Sequence, residues 1–304
     1  MRAKLILIAV FAAVLGGSFL AKALLEKPDE PAVPGDRPPE RIVSMSPNIT
    51  ETLFALGLGD RVVGVTRFCT YPPEAQTRPQ VGGYLDPNYE AILALKPDLV
   101  IYPGENDEFV YKLHELGLAT LGVRHNSIEE ILDTITTIGR RCGVEARADR
   151  LVAEIRERID RTARKTAGLN RPRVMIVVER SLGVGRPENV CIAGADRFMN
   201  RMVELAGGRN CCGEDRVGFP LVSLEGIHKM NPEVILDLVA ERRQGNYSKE
   251  TLLRDWQPLG QVAAVRDGRV YLVDDEYVFI PGPRLPLSVE KLARLIHPEL
   301  KWDP

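Results

Sequence analysis

The sequence predicts an α/β protein of two Rossmann-like lobes that are joined by one long helix. Short apolar segments of strand character alternate with helical segments in two runs, as in parallel sheets covered by helices. A long, mostly charged helical segment at 144–170 separates the runs. The phrase "EAILALKPDLVI" at 90–101 returns in pattern as "EGIHKMNPEVIL" at 225–236. Repeats that lie so far apart are typical of duplicated domains, not of a solenoid.

Length and composition agree with two domains. The chain has 304 residues, a net charge of −2 and 44% apolar residues, which is a globular composition with no basic bias toward nucleic acid. We divide it into a targeting segment or anchor, a Pro-rich linker, a first lobe, a bridging helix and a second lobe. The predicted boundaries are 1–23, 24–40, 41–143, 144–170 and 171–304.

The N-terminus predicts export. Basic "MRAK" precedes the apolar run "LILIAVFAAVLGGSFL" and the small-residue site "AKA". This order is typical of a cleaved secretory signal. The alternative is an uncleaved anchor, in which residues 5–25 tether the protein to the membrane. Both place the body in the periplasm or otherwise outside the cytoplasm.

The first run contains four strands and four helices. The strands are predicted at 41–45, 61–65, 98–102 and 119–123, and the helices at 47–57, 87–95, 107–117 and 127–142. Asn48 is the expected N-cap of the first helix. Two consecutive prolines in "TRFCTYPPEAQTRP" predict a loop between the second strand and the second helix.

The bridging helix carries only a thin apolar stripe, Leu151, Ile155 and Ile159, which suits a strut between two lobes. The second run then opens with the strand "RPRVMIVVE" and a Gly-rich loop at 179–194. Further strands are predicted at "VILDL" and "RVYLV", and helices at 195–206, from Ser223 onward, at 248–255 and at 285–297.

The cysteines and histidines do not predict a metal site. The five cysteines contain no C-x-x-C pair and the four histidines are scattered. Outside the cytoplasm disulfides form, and Cys191 with Cys211 or Cys212 is the best pairing. No motif of a hydrolase, zinc protease or phosphate-binding loop is present, so we expect no enzyme and no catalytic residue.

The repeated glutamates Glu90 and Glu225 open the two related phrases. Each stands in the first turn of a predicted helix, where a carboxylate is favoured by the helix dipole. Stabilisation of the helix start is by itself enough to explain both glutamates. They can also form a matched pair of exposed acidic groups for a partner with two-fold symmetry.

Several stretches resemble a known family. They are "RIVSMSPNITETLFALGLGDRVVGVT", "YPPEA", "VGGYLDPNYEAILALKPDLVI", "VELAGGRN" and "PGPRLPLSVEKLARLIHPE". They are similar to the helical-backbone (class III) substrate-binding proteins of ABC importers for cobalamin and ferric siderophores, with cobalamin binders nearest. The resemblance covers 41–299 and implies a ligand cleft between two lobes, a rigid connecting helix and no intrinsic cofactor. It also implies docking of Glu90 and Glu225 to a dimeric permease of the cytoplasmic membrane by a monomeric protein.

The resemblance places five ligand-binding residues: Phe68, Tyr84, Tyr102, Phe219 and Glu276. Aromatic linings suit large ring-rich ligands. Where cobalamin binders carry tryptophans this chain has other residues, since its two tryptophans lie elsewhere.

Three functions follow. The first is an extracytoplasmic receptor that captures a cobalamin-like corrinoid and delivers it to an ABC importer. The second is a receptor of the same family for a ferric siderophore or haem, which a basic pocket formed by Arg67, Arg124 or Arg180 would favour. The third, of a different class, is an anchored accessory protein that handles thiols or metals through its cysteines.

Overall fold

The computed structural model describes residues 37–104, 107–212, 217–239 and 247–302, apart from the side chains of Asp107 and Phe279. The predicted signal or anchor, and most of the linker, lie outside these residues. The end of the linker packs on the body, because Pro39 is buried and Asp98 accepts the backbone N–H of Glu40 at 2.8 Å. Within the described chain no helix is both long and apolar enough to cross a membrane.

The first sheet is parallel, in the order β2-β1-β3-β4. Its strands are Ile42–Ser44 (β1), Val62–Val65 (β2), Leu99–Pro103 (β3) and Thr120–Val123 (β4), and its helices are Pro47–Ala55 (α1), Tyr89–Ala94 (α2), Asp107–Glu115 (α3) and Ile128–Arg141 (α4). Every predicted element of this run is present. The N-cap of α1 is Ser46, not Asn48 as predicted, because Pro47 takes the first helical position.

A helix of 22 residues, Glu145–Thr166 (α5), follows the first sheet in the chain. Its buried stripe includes Ile155 and Ile159, as predicted, and it packs against α4 and the last helix of the chain, Leu285–Ile296. Polar and charged side chains cover most of the remaining surface. The apolar stripe therefore faces helices from both halves of the chain.

The second sheet is mixed, in the order β10-β9-β5-β6-β8, and β7 also pairs with β5. Its strands are Arg173–Ser181 (β5), Glu188–Ile192 (β6), Arg209–Asn210 (β7), Leu221–Val222 (β8), Val234–Leu238 (β9) and Val270–Val273 (β10), and its helices are Arg197–Leu205 (α6), Leu224–Met230 (α7), Lys249–Arg254 (α8), Ala263–Arg266 (α9) and Leu285–Ile296 (α10). The loop predicted at 179–194 is wrong, because β6 pairs antiparallel with β5 there.

The sequence repeat corresponds to one structural unit that occurs twice. In the first copy Asp98 accepts the backbone N–H of Arg41 at 3.0 Å, and the Arg41 guanidinium donates to the carbonyl at the C-cap of α2. In the second copy Glu233 accepts the backbone N–H of Arg173 at 3.0 Å, and the Arg173 guanidinium donates to the C-cap carbonyl of α7. In each copy the acidic residue after the repeated proline thus holds the backbone of an arginine, and that arginine holds the end of the preceding helix.

The two halves share one hydrophobic core. A single cluster of buried residues includes Ile42 of β1, Ile135 of α4, Ile155 of α5, Val174 of β5 and Leu292 of α10. Each Å² of apolar surface that this cluster buries stabilises the folded chain by roughly 25 cal/mol. Because the cluster is continuous across α4, α5 and α10, the halves are packed against each other along these helices.

A buried ion pair also joins the halves. Arg284, just before α10, donates through Nε to Glu51 of α1 at 2.8 Å, and a second N–H contacts the other carboxylate oxygen. The side chain of Glu51 is only 1% exposed. Burial raises the pKa of Glu51 and the Arg284 guanidinium opposes the rise. The guanidinium also lies 4.0 Å from the ring centroid of Tyr71.

We predict that Glu51→Ala and Arg284→Ala each lower the free energy of unfolding by about 3–5 kcal/mol, because each leaves the other charge buried without its partner. Denaturant unfolding of the full-length chain measures this. The double variant should lose less than the sum of the single losses. Arg67→Ala is the control, because its ion pair with Asp86 is exposed and should have little effect. Additive losses in the double variant would contradict the predicted coupling.

Candidate functional site

A cavity of about 490 Å³ lies where the parallel strands of the first sheet end. Residues 46–48 follow β1, Pro103 and Gly104 end β3, and residues 123–126 end and follow β4. Ile280 and Pro281 line it from the second half of the chain. Ligands of open α/β sheets bind at the carboxyl ends of the strands, so this cavity is the candidate site.

The described part of the cavity wall carries one arginine, Arg124. Among its described lining residues are Arg124 and His125 but no aspartate or glutamate. Arg67 is instead held by Asp86, at 2.8 and 2.9 Å. Arg180 is buried and paired with two aspartates, at 2.9 and 2.7 Å. Of the three arginines considered from the sequence, Arg124 alone lines the cavity.

The turn that carries Arg124 is held at several points. Thr134 donates to the carbonyl of Arg124 at 2.6 Å. Ser127 caps α4 by accepting the backbone N–H of Glu130 at 3.2 Å, and the Glu130 carboxylate accepts the backbone N–H of Asn126 at 2.9 Å. These reciprocal bonds resemble a capping box. They fix the backbone of 124–126 against the first turn of α4.

Tyr84 is the one predicted ligand-binding residue that lines the cavity. Its hydroxyl donates to the carbonyl of Pro103 at 2.6 Å. Its ring meets the edge of Phe109 at a centroid distance of 5.7 Å. The ring is therefore held in place before any ligand binds, and its cost in side-chain entropy on binding is small.

The other predicted aromatics lie outside the cavity lining. Phe68 and Phe219 are 56% and 50% exposed, and the Arg67 guanidinium lies 4.7 Å from the Phe68 ring centroid. Tyr102 packs on Phe109 at a centroid distance of 5.6 Å. Ligand contact by Phe68, Tyr102 and Phe219 thus stays a prediction.

Glu276 is exposed and accepts a hydrogen bond from Thr70 at 3.2 Å. Thr70 belongs to the first half of the chain and Glu276 to the second. Glu276 therefore lies at the seam between the halves, a few residues before Ile280 and Pro281 of the cavity. Its role toward a ligand also stays a prediction.

Glu90 and Glu225 occupy equivalent places in the two repeats. Both are exposed and lie in the first turns of α2 and α7. The N-caps are Asn88 and Ser223, whose side chains accept first-turn amides at 2.9 and 3.1 Å. The helix starts are therefore capped by neighbouring residues, and the two carboxylates remain available at the surface.

The predicted disulfide between Cys191 and Cys211 is not formed, and all five cysteines are free. Cys191 of β6 lies opposite Glu179 of β5, whereas Asn210, next to Cys211, lies opposite Val174. Cys211 is one residue further along this parallel pairing, so about four residues of β5 separate the two positions. Four residues along a strand span about 13 Å, far beyond the ~7 Å limit between the Cα atoms of a disulfide.

The thiols are also not set up for reaction. Burial raises the pKa of Cys211 to about 12 and that of Cys142 to about 11. Burial also raises the pKa of Cys69, which accepts a hydrogen bond from Thr50 at 3.1 Å. A redox pair needs an accessible thiol of low pKa, so these three thiols give no support to a thiol-handling function.

The structure adds residues that the sequence interpretation missed, namely Ser46, Asn48, His125 and Asn126. A signal for them was present, because each follows a predicted strand of a parallel sheet. Among the described residues no group of three His, Cys, Asp or Glu side chains could hold a metal ion. The polar lining groups can donate hydrogen bonds to a ligand or accept them from it.

Comparison with known proteins identifies the family. The sequence profile of the family described as "Periplasmic binding protein" matches residues 42–277. The chain therefore belongs to this family of binding proteins. Both sheets and the cavity fall within the matched region, apart from Ile280 and Pro281.

Named relatives agree with the family. The uncharacterized ABC transporter substrate-binding lipoprotein YvrC of Bacillus subtilis is 33% identical over 86% of this chain and 81% of its own length. A cobalamin-binding protein of Halobacterium salinarum is 30% identical over 88% of this chain and 72% of its own length. The solved periplasmic heme-binding protein RhuT of Roseiflexus sp. RS-1 is 28% identical, with a TM-score of 0.74 over 85% of this chain and 98% of its own.

We predict that the denatured full-length chain titrates five thiols per molecule with Ellman's reagent, because no cysteine is paired. In the native chain at pH 8, Cys142 and Cys211 should react slowest, since their raised pKa leaves little thiolate. Cys142→Ser and Cys211→Ser identify the slow phases. A count of three thiols without reductant would reveal a disulfide and contradict the prediction.

Proposed function

We propose that the protein is an extracytoplasmic substrate-binding protein that captures a cobalamin-like corrinoid and delivers it to an ABC importer. The cavity at the strand ends, walled by residues of both halves, carries this proposal. The proposed lobes are 41–143 and 171–304, with 144–170 as the connecting helix. The family membership and the ABC transporter and cobalamin-binding relatives support it.

The seam between the halves indicates how the ligand is held. The buried pair of Glu51 and Arg284 and the bond from Thr70 to Glu276 lie on the chain segments that flank the cavity. Opening or closing the cleft widely would break these contacts. We therefore propose that ligand enters a largely preformed cleft, with little movement of the lobes.

Haem is the second candidate ligand, and a ferric siderophore of the same receptor class is the third. Arg124, among described lining residues that include no aspartate or glutamate, suits the carboxylates of haem. The likeness to the heme-binding RhuT points the same way. Tyr84 offers a flat ring to either macrocycle.

We expect one-to-one binding when the full-length chain is titrated calorimetrically with cyanocobalamin, beside haem and a ferric hydroxamate. Tyr84→Ala should weaken the bound chelate about tenfold, because an aromatic contact of the cavity lining is lost. Tyr111→Ala is the matched control, since Tyr111 is 65% exposed on α3 and does not line the cavity. Haem or hydroxamate binding in place of cobalamin would keep the receptor and change the ligand. Failure of all three to bind would contradict the receptor.

We propose that Glu90 and Glu225 dock the protein to a dimeric permease in the cytoplasmic membrane, and that the protein is a monomer. One exposed first-turn glutamate per repeat matches a partner with two-fold symmetry. Exposed ion pairs contribute only about 0.2–1 kcal/mol each, so they set orientation and association rate more than affinity.

We predict that the double variant Glu90→Ala and Glu225→Ala keeps its ligand affinity but loses most ligand uptake in cells that carry the cognate importer. The carboxylates lie away from the cavity, so binding in solution should not change. Glu145→Ala is the matched control, because Glu145 is also an exposed first-turn glutamate, in α5. Wild-type uptake by the double variant would contradict the docking role.

A further inference from the structure

One wall of the cavity concentrates positive charge. Arg124 is exposed, and within the described part of the chain its guanidinium makes no ion pair, unlike those of Arg67 and Arg180. The hydrogen bond from Thr134 to its carbonyl fixes the backbone from which the side chain extends. An arginine kept without an acidic partner beside a cavity is suited to an anionic group of a ligand.

The start of α1 adds to this charge. Residues 46–48 line the same cavity, and the Ser46 side chain makes no capping bond to the first-turn amides of this nine-residue helix. A helix N-terminus carries a partial positive charge. The described lining residues include no aspartate or glutamate. The guanidinium and the helix end therefore both attract an anionic group of a ligand.

We propose that Arg124 is a specificity-determining residue that binds an oxyanion of the ligand, so that the cavity selects chelates with such a group over matched chelates without one. The inference rests on the proposed function. Asn126 and Asn48 line the same cavity and carry amide groups. The ligand then lies with its acidic edge toward the turn after β4 and its ring system toward Tyr84.

Two sources supply this chemistry within the proposed ligand class. Haem carries two carboxylates on its ring edge. Cobalamin carries a phosphate diester in its nucleotide arm. A guanidinium forms paired hydrogen bonds to either oxyanion.

The test uses two pairs of probes that differ in the oxyanion. Full-length wild type, Arg124→Gln, Arg124→Lys and Arg67→Gln are titrated with haem and haem dimethyl ester, and with cyanocobalamin and cobinamide. Cobinamide lacks the phosphate together with the rest of the nucleotide, so only the part of its loss that disappears in Arg124→Gln is assigned to the oxyanion. In wild type the parent chelate should bind at least about tenfold more tightly than its stripped form. Arg124→Gln should abolish that preference and Arg124→Lys should keep part of it, because lysine retains the charge but not the planar fork. Arg67→Gln should match wild type.

The outcomes separate this inference from the receptor function. A preference in the haem pair alone identifies the carboxylate as the source, and one in the cobalamin pair alone identifies the phosphate. Equal binding of parent and stripped forms by wild type, or an undiminished preference in Arg124→Gln, would overturn the inference and leave the receptor intact. If a neutral ferric hydroxamate is the only chelate that binds, the inference is also overturned and the receptor function stands. If no chelate binds, the proposed function falls and this inference with it.

Discussion

The buried ion pair between Glu51 and Arg284 constrains how the two halves of the chain meet. Glu51 lies in α1, whose first residues line the cavity, and Arg284 follows Ile280 and Pro281, which line it from the other side. Separating the two buried charges would cost free energy, because each would be left buried without its counter-charge. The pair therefore ties together the two chain segments that line the cavity from opposite halves. The hydrophobic core that runs across α4, α5 and α10 also holds the two halves together.

The repeated phrase explains why the fold was largely predictable. Its acidic residues, Asp98 and Glu233, make equivalent bonds to the backbone of Arg41 and Arg173, so that one local sequence pattern encodes the same unit twice. Strands buried on both faces and helices with one apolar stripe are visible in a single sequence. The prediction was wrong at β6, because the Gly-rich sequence around this strand is typical of a loop. Its pairing is antiparallel and depends on β5 and β8 as neighbours, which local sequence does not contain.

The candidate site was less predictable than the fold. Tyr84 was placed by resemblance and lines the cavity, whereas the neighbouring lining residue on β3 is Pro103 and not Tyr102. Alternation along a strand sends neighbouring side chains to opposite faces, so a resemblance over a strand does not by itself fix which of two neighbours lines a cavity. Likewise, three arginines looked equivalent in the sequence. Only tertiary contacts distinguish Arg67 and Arg180, which are paired with aspartates, from Arg124.

The proposed functions place different charges on two surfaces of the molecule. The cavity at the seam of the halves carries Arg124 and is the proposed ligand site. The paired glutamates are acidic, exposed and placed one on each repeat, and they are the proposed contacts to a larger partner. Because Asn88 and Ser223 already cap those helices, the carboxylates are not needed to satisfy first-turn amides. Their equivalent placement is instead a consequence of the repeat itself. A duplicated fold can thus provide the two matched contact points that the proposed two-fold partner requires, while the seam between its copies forms the single cavity proposed for the ligand.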